Sequence, residues 1–272
     1  MIELVCPNNW INWYNQIRGE NWPDCNVEQD FHLLPINLQL ELINNYNYDP
    51  TVGKSKKYSY DYHIFTTSGL HQLDVFWLDG QDGGGTKFGQ DFIPVIKQLY
   101  PDRQFKRCYE WCSGPGFIGY SILDHNLAKS ICLSDLHYPA IEMAEKTRLH
   151  VPNNCKDKVT TYLFKDLELL PKREMFDLVV ANPPHNIDFV SESNYNANRI
   201  CTDINWESHQ NFFKYIRSHL TNDGIILLQE NKHWSQVSDF ESFIISNNLK
   251  ITNCYYDIDN TDNSFYYIEI QK

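Results

Sequence analysis

The 272-residue chain has no uninterrupted apolar run near the roughly 20 residues that a membrane helix needs. Its opening residues, Met1-Ile2-Glu3-Leu4-Val5-Cys6, lack a basic region followed by an apolar stretch. Both absences read as no membrane and no export, and hence a cytoplasmic protein. No Cys-x-x-Cys occurs, and the eight cysteines are scattered, several within apolar strand-like segments. That usage fits reduced, buried thiols rather than a disulfide framework. Cys108, Cys112 and His125 do not have zinc-ligand spacing, so no metal is expected. Basic residues are also scarce, 23 against 35 acidic, for a net charge of -12. Such a balance repels polyphosphate unless its cations cluster, and the best cluster, Arg103 to Arg107, is thin. Nucleic acid is therefore disfavoured as a partner, while a protein, peptide or small molecule stays open.

What is present suffices for a full core, with 42% hydrophobic residues. The first part of the chain is rich in Trp, Tyr and Asn and shows no strand-helix alternation. Leu34, Ile36, Leu38, Leu40, Leu42 and Ile43 lie partly at helical spacing and predict a helix from about Pro35. The aromatic and β-branched runs Tyr58 to Phe65 and Leu73 to Leu78 flank Thr66-Thr67-Ser68-Gly69 and predict a hairpin. The glycines between Gly80 and Gly85 read as a joint. The division expected is an α+β accessory region over 1–84 that selects the substrate, followed by the main domain over 85–272.

From Arg107 the pattern alternates: strands 107–111, 130–134, 160–164, 176–180 and 225–229, with helices 117–126, 138–150, 206–219 and 237–247. Two closing strands, 251–257 and 265–270, are joined by the polar turn 259–263. Alternation predicts an α/β fold with a mostly parallel seven-stranded sheet, and the last pair an antiparallel C-terminal hairpin.

Glu110-Trp111-Cys112-Ser113-Gly114-Pro115-Gly116 stands where a strand enters a helix, so backbone can approach a ligand beside free helix N-H groups. Such turns also arise from packing alone. Asp135 ends the next strand about 20 residues later, where a carboxylate accepts both hydroxyls of a ribose or simply caps a helix. Asp166, followed by Leu167, closes another strand and reads either as a loop carboxylate or as a contact for an adenine amino group and ring. The sharpest signal is the buried strand Phe176 to Ala181 delivering Asn182-Pro183-Pro184-His185 to the same sheet edge. Two prolines stiffen the turn. The carbonyls of Asn182 and Pro183 are then free to accept both hydrogens of a substrate NH2.

With these motifs the sequence resembles, from about Phe88 onward, the class I S-adenosylmethionine-dependent methyltransferases with an Asn-Pro-Pro-aromatic motif, such as release-factor glutamine and adenine N6 methyltransferases. The resemblance implies a Rossmann-like, doubly wound fold with S-adenosyl-L-methionine as cofactor. It assigns Glu110, Gly114 and Gly116 to the methionine part, Asp135 to the ribose, Asp166 and Leu167 to the adenine, and Asn182 with Pro183 to the target nitrogen; Cys112, Ser113, Leu136 and Asn182 join the cofactor-binding set, and Pro184 and His185 the catalytic one. Phe88 and Gln90 fall in a segment that borders donor and substrate. Two residues depart from the pattern: Cys112 replaces the first glycine, and His185 replaces the stacking Tyr, Phe or Trp. His185 reads as a smaller stacking surface or as a group that hydrogen-bonds or takes a proton.

The function expected is N-methylation of a side-chain amide in a protein or peptide. Methylation of a nucleobase amine and a noncatalytic binding module remain as alternatives. Trp206, His209 and Trp234 read either as cleft lining or as helix packing, and the polar stretch 188–205, with Ser191, Asn194, Tyr195 and Asn196, as a substrate lid or a plain loop.

Overall fold

A computed structural model describes residues 48–49, 54–55, 62–78, 80–163, 167–185, 202–256, 258 and 264–272. The chain divides into two compact units, Met1–Asp61 and Tyr62–Lys272. In the first, β1 (Tyr48–Asp49) pairs antiparallel with β2 (Lys54–Ser55). The helix expected from Pro35 lies outside the described residues.

The second unit opens with the expected hairpin, β3 (His63–Thr66) against β4 (Asp74–Trp77). It falls within the compact unit Tyr62–Lys272. Next come α1 (Phe92–Leu99), β5 (Cys108–Trp111), α2 (Phe117–Asp124), β6 (Ile131–Asp135), α3 (Tyr138–His150), α4 (Asn153–Lys156) and β7 (Val159–Leu163). Then follow β8 (Phe176–Ala181), α5 (Glu207–Ile216), β9 (Leu220–Asn231), α6 (Val237–Ser246), β10 (Lys250–Tyr255) and β11 (Phe265–Gln271).

The hairpin is held by Asp124 at the end of α2, which is fully buried. Its carboxylate accepts from Thr67 Oγ1 (2.5 Å), Gly69 N (2.8 Å) and His71 N (2.6 Å). Gly69 is required there, since a Cβ would come within 2.6 Å of the Asp124 carbonyl carbon. On the far side, Phe76 N donates to Thr147 Oγ1 of α3, and the Phe76 ring lies 4.8 Å from that of His150.

Seven strands form one sheet in the order β10-β11-β9-β8-β5-β6-β7. β7, β6, β5, β8 and β9 run parallel, and β11 is antiparallel to both β9 and β10. β5 and β8 are buried along their whole length, as continuous apolar strands covered on both faces must be. Strand order reverses between β5 and β8, and ligands of open α/β sheets collect at the carboxyl ends of strands beside such a switch point. The glycine turn after β5 and the Asn-Pro-Pro-His turn after β8 emerge at that place. α1 is not among the expected helices; Pro94 sits in its first turn, where a missing N-H costs nothing.

Candidate functional site

The turn after β5 is built from backbone that side chains rarely adopt. Cys112 has φ 53°, Gly114 φ 53° and Gly116 φ 90°. At Gly116 a Cβ would approach Leu133 Cδ1 to 2.7 Å, so this glycine brings α2 onto the sheet; at Gly114 a Cβ would meet nothing closer than the Gln81 carbonyl oxygen at 3.8 Å, leaving open space. Cys112 thus occupies a position where glycine is the unstrained residue. Burial, and secondarily Asp135, pushes its thiol well above the ordinary range, so it is no nucleophile. Cys112→Gly is expected to stabilise the fold by about 0.5–1 kcal/mol in urea unfolding, because the left-handed backbone is relieved.

Glu110 is 2% exposed, and its carboxylate accepts the Gly119 N-H at 2.7 Å at the start of α2. Burial, only partly offset by backbone N-H groups, pushes it up to about 8. Ser113 is buried, and its N-H donates to the Ser134 carbonyl. Asp135 accepts from Gly114 N (2.7 Å) through one oxygen and from His137 N (2.8 Å) through the other. It therefore organises the glycine turn and the entry to α3 together. Burial raises its carboxyl as well. Leu136, beside it, is 44% exposed, an uncovered apolar side chain at the sheet edge.

The segment before α1 crosses this edge. Gly83 O accepts from Asn182 Nδ2 at 3.3 Å, while Gln81 lies against Gly114. Gln81 Oε1 accepts from Leu78 N, but its buried Nε2 has no partner among the described residues. Sequence reasoning passed over Gln81, which carried no pattern. Gln90 is occupied internally: Nε2 donates to Gly85 O and Oε1 accepts from Ser121 Oγ. Phe88 packs its ring 4.6 Å from that of Phe265, and its carbonyl accepts from Gln229 Nε2. Leu167 is 2% exposed, its N-H donating to Asn211 Oδ1. Asp166 lies outside the described residues, as does the stretch 186–201 of the expected lid.

After β8, Pro183 is buried and Asn182, Pro184 and His185 are partly so. His185 Nε2 stands 2.7 Å from Asn182 Oδ1, and its Nδ1 3.2 Å from Glu230 Oε2. Parallel pairing of Ala181 with Leu228 brings Glu230, at the end of β9, to this turn. Glu230 is wholly buried, and its other oxygen meets His209 Nε2 at 3.1 Å; His209 Nδ1 reaches Asp203 Oδ2 at 2.6 Å. Asp203 also accepts the N-H groups of Ser208 and His209 at the head of α5. Asn205 (φ 54°) and Trp206 (φ 56°) make the sharp entry that lets it do so. Burial would lower His209, but Glu230 and Asp203 outweigh it and bring the imidazole up to about 9. Burial would raise both carboxyls, and the histidine holds each below its ordinary range. Trp206 and His209 are buried against Phe240, whereas Trp234 is exposed. No cluster that could hold a metal occurs among the described residues, and none of their helices is long and apolar enough to cross a membrane.

These residues fit a nucleoside-methionine donor. Open space lies over Gly114 beside the Gln81 carbonyl oxygen, and two buried carboxyls can accept hydroxyl or ammonium hydrogens. The family model for the methyltransferase small domain matches residues 92–255, more than half of the chain. A release factor glutamine methyltransferase from Leptospira interrogans serogroup Icterohaemorrhagiae serovar Lai (strain 56601) is 36% identical over 75 residues, 27% of this chain and 26% of that protein. The chain thus spans about a quarter of the length of that curated relative. Among solved structures, a putative methyltransferase, yhhF, from Escherichia coli superposes with a TM-score of 0.51 at 11% identity, covering 77% of this chain and 98% of that one. The glycopeptide N-methyltransferase MtfA complexed with (S)-adenosyl-L-methionine gives 0.50 at 12% identity, covering 69% and 93%. The mitomycin 7-O-methyltransferase MmcR gives 0.51 at 12%, covering 71% and 56%. At these identities the likeness is one of fold.

Proposed function

The chain belongs to the methyltransferase small domain family and has the class I fold of S-adenosylmethionine-dependent methyltransferases, and on that premise we propose that it methylates an NH2 nitrogen, a side-chain amide of Gln or Asn in a protein or peptide. The fold serves O- and N-methyltransferases alike, so the acceptor has to be argued from the site. The observation that carries this reading is the Asn182-Pro183-Pro184-His185 turn at the switch point, with Asn182 tied to the Gly83 loop on one side and His185 on the other. S-adenosyl-L-methionine supplies a methyl group on a sulfonium. Glu110, Cys112, Ser113, Gly114, Gly116 and Gln81 would hold its methionine part, Asp135 and Leu136 its ribose, and Asp166 and Leu167 its adenine. Phe88 and Gln90 support the loop that borders both ligands.

An amide nitrogen is a poor nucleophile. The carbonyls of Asn182 and Pro183 would accept its two hydrogens, fixing the nitrogen toward the donor and stabilising positive charge as the N-C bond forms and the S-C bond breaks to leave a neutral thioether, after which one N-H proton is lost to water. The net charge of -12 favours a peptide acceptor over nucleic acid, and the 1–84 region would help select it. Cys108, Cys112, Cys132, Cys155 and Cys254 are all free thiols, in keeping with a reducing cytoplasm.

Incubation with radiolabelled donor and cell extract tests the acceptor class: label is expected to disappear on protease treatment and to survive nuclease. Label removed by nuclease alone would overturn the amide reading in favour of a nucleobase amine. The donor pocket makes a second, independent prediction. Glu110 is protonated below about 8 in the empty site, and a cationic donor favours its carboxylate form. Donor affinity should therefore rise by up to about tenfold per pH unit as pH approaches that value and flatten above it. Calorimetric titrations across this range should show the slope, and Glu110→Gln should remove it.

A further inference from the structure

Beyond the residues that face the ligands, a chain of buried polar side chains runs away from the site. Asn182 Oδ1 meets His185 Nε2, His185 Nδ1 meets Glu230, Glu230 meets His209, and His209 meets Asp203. Side-chain exposure falls along it, from 15% at His185 to 0% at Glu230 and His209 and 2% at Asp203. Burying two carboxylates and an imidazolium costs more than apolar residues of similar volume would, so stability alone does not account for the arrangement. Each carboxylate oxygen of Glu230 is directed: Oε1 to His209, Oε2 to His185 and, at 3.5 Å, to Ser235 Oγ. Nothing in this line could serve a Phe at position 185, whose ring has no hydrogen to give.

We infer that Glu230 is a positioning residue for methyl transfer, backed by His209 and Asp203, which fixes the His185 ring and through it the side-chain amide of Asn182. A carboxylate is an acceptor only, so Glu230 keeps a hydrogen on His185 Nδ1 and the ring plane turned toward it. Asn182 Oδ1 is an acceptor as well, so His185 Nε2 must carry its own hydrogen and donate it there, the ring bridging two acceptors with both nitrogens as donors. The Asn182 amide is held at two points, His185 at its oxygen and the Gly83 carbonyl at its nitrogen. An amide so held meets an incoming NH2 in one orientation, which a neutral stacking ring could not impose. The residue that departs from the aromatic pattern is thereby matched by a carboxylate on the neighbouring strand.

The inference rests on the proposed amide methylation for its kinetic arm and is independent of it for its spectroscopic arm. In donor-free protein labelled with 15N-histidine, the His185 ring is expected to show hydrogen on both nitrogens in one fixed orientation, which Glu230→Gln converts to averaged tautomers. An unchanged His185 signal in a folded Glu230→Gln protein would overturn the inference, whatever the substrate proves to be. In kinetics, Glu230→Gln is expected to lower kcat at least about tenfold with the donor KM within about twofold, and to do so by less than about twofold in the His185→Phe background. Equal losses in both backgrounds would mean that Glu230 supports the fold and does not act through His185. Should no acceptor be methylated at all, the proposed function fails while the spectroscopic result still decides the role of Glu230.

Discussion

Asn182→Ala is expected to lower turnover about 100- to 1,000-fold, the range for removing one preorganised partner of developing charge. Donor affinity should stay within severalfold of the parent. The separation follows from placement, because Asn182 follows β8 while the proposed donor cradle lies at the turns after β5 and β6. Its one link to the loop over Gly114, the 3.3 Å bond to Gly83 O, is long and partly exposed. Single-turnover rates with saturating donor, set beside calorimetric donor binding, measure the two effects independently. Donor binding lost in parallel with turnover would show that Asn182 organises the donor pocket and would remove it from the reaction.

His209→Ala is expected to cost about 3–5 kcal/mol of folding stability, the penalty for stripping a partner from a buried ionic network. The two carboxylates it separates, Asp203 and Glu230, would be left facing a void with no cation between them. A loss under about 1 kcal/mol would contradict the charges assigned to the trio. The pH dependence carries a second signature. The imidazole is raised from 6.5 to about 9, so its stabilisation is complete below the lower value and disappears as pH rises through the higher one. Glu110, raised from 4.5 to about 8, acts in the same direction, since burial penalises it progressively as it ionises. Asp203 and Glu230, both lowered, weaken the fold only as acid protonates them. The donor-free protein should therefore be most stable near about pH 5 and lose stability steadily toward alkali. In His209→Ala the limb above about pH 8 should flatten while the part owed to Glu110 persists. Urea midpoints across this range provide the check.

Much of this was legible in the sequence wherever a local pattern carried it. Strand-helix alternation from Arg107, the terminal acid Asp135, the glycine turn and the Pro-Pro turn each need only neighbours along the chain, and each expected strand falls within a residue or two of its place, β9 being longer than expected. Cys112 was visible as a gap in a glycine pattern, though its φ of 53° was not. The supports of the site had no such signature. Glu230 closes an apolar strand and lies 45 residues from His185 in sequence; only the register of β8 against β9 joins them. His209 lies on a helix face rich in aromatics and reads as packing, which it is, between Trp111, Trp206 and Phe240, while also carrying a charge. Gln81 sits in a glycine-rich stretch that reads as a joint, and the bond from Asn182 to Gly83 and the approach of Gln81 to Gly114 reveal that the stretch folds over the site.

The hairpin's grip on Asp124 bears on where the folding unit begins. Asp124 is the last residue of α2, at the negative end of the helix dipole, where an anion is disfavoured. Its carboxylate is buried there only because the hairpin loop wraps it with a hydroxyl and two backbone N-H groups. If the β3–β4 strands were shed, a bare anion would be left against a helix terminus that repels it, and Thr147 of α3 would lose the N-H its hydroxyl receives. A chain severed at the glycines 83–85 is thus expected to inherit a fault in the helix that follows the glycine turn.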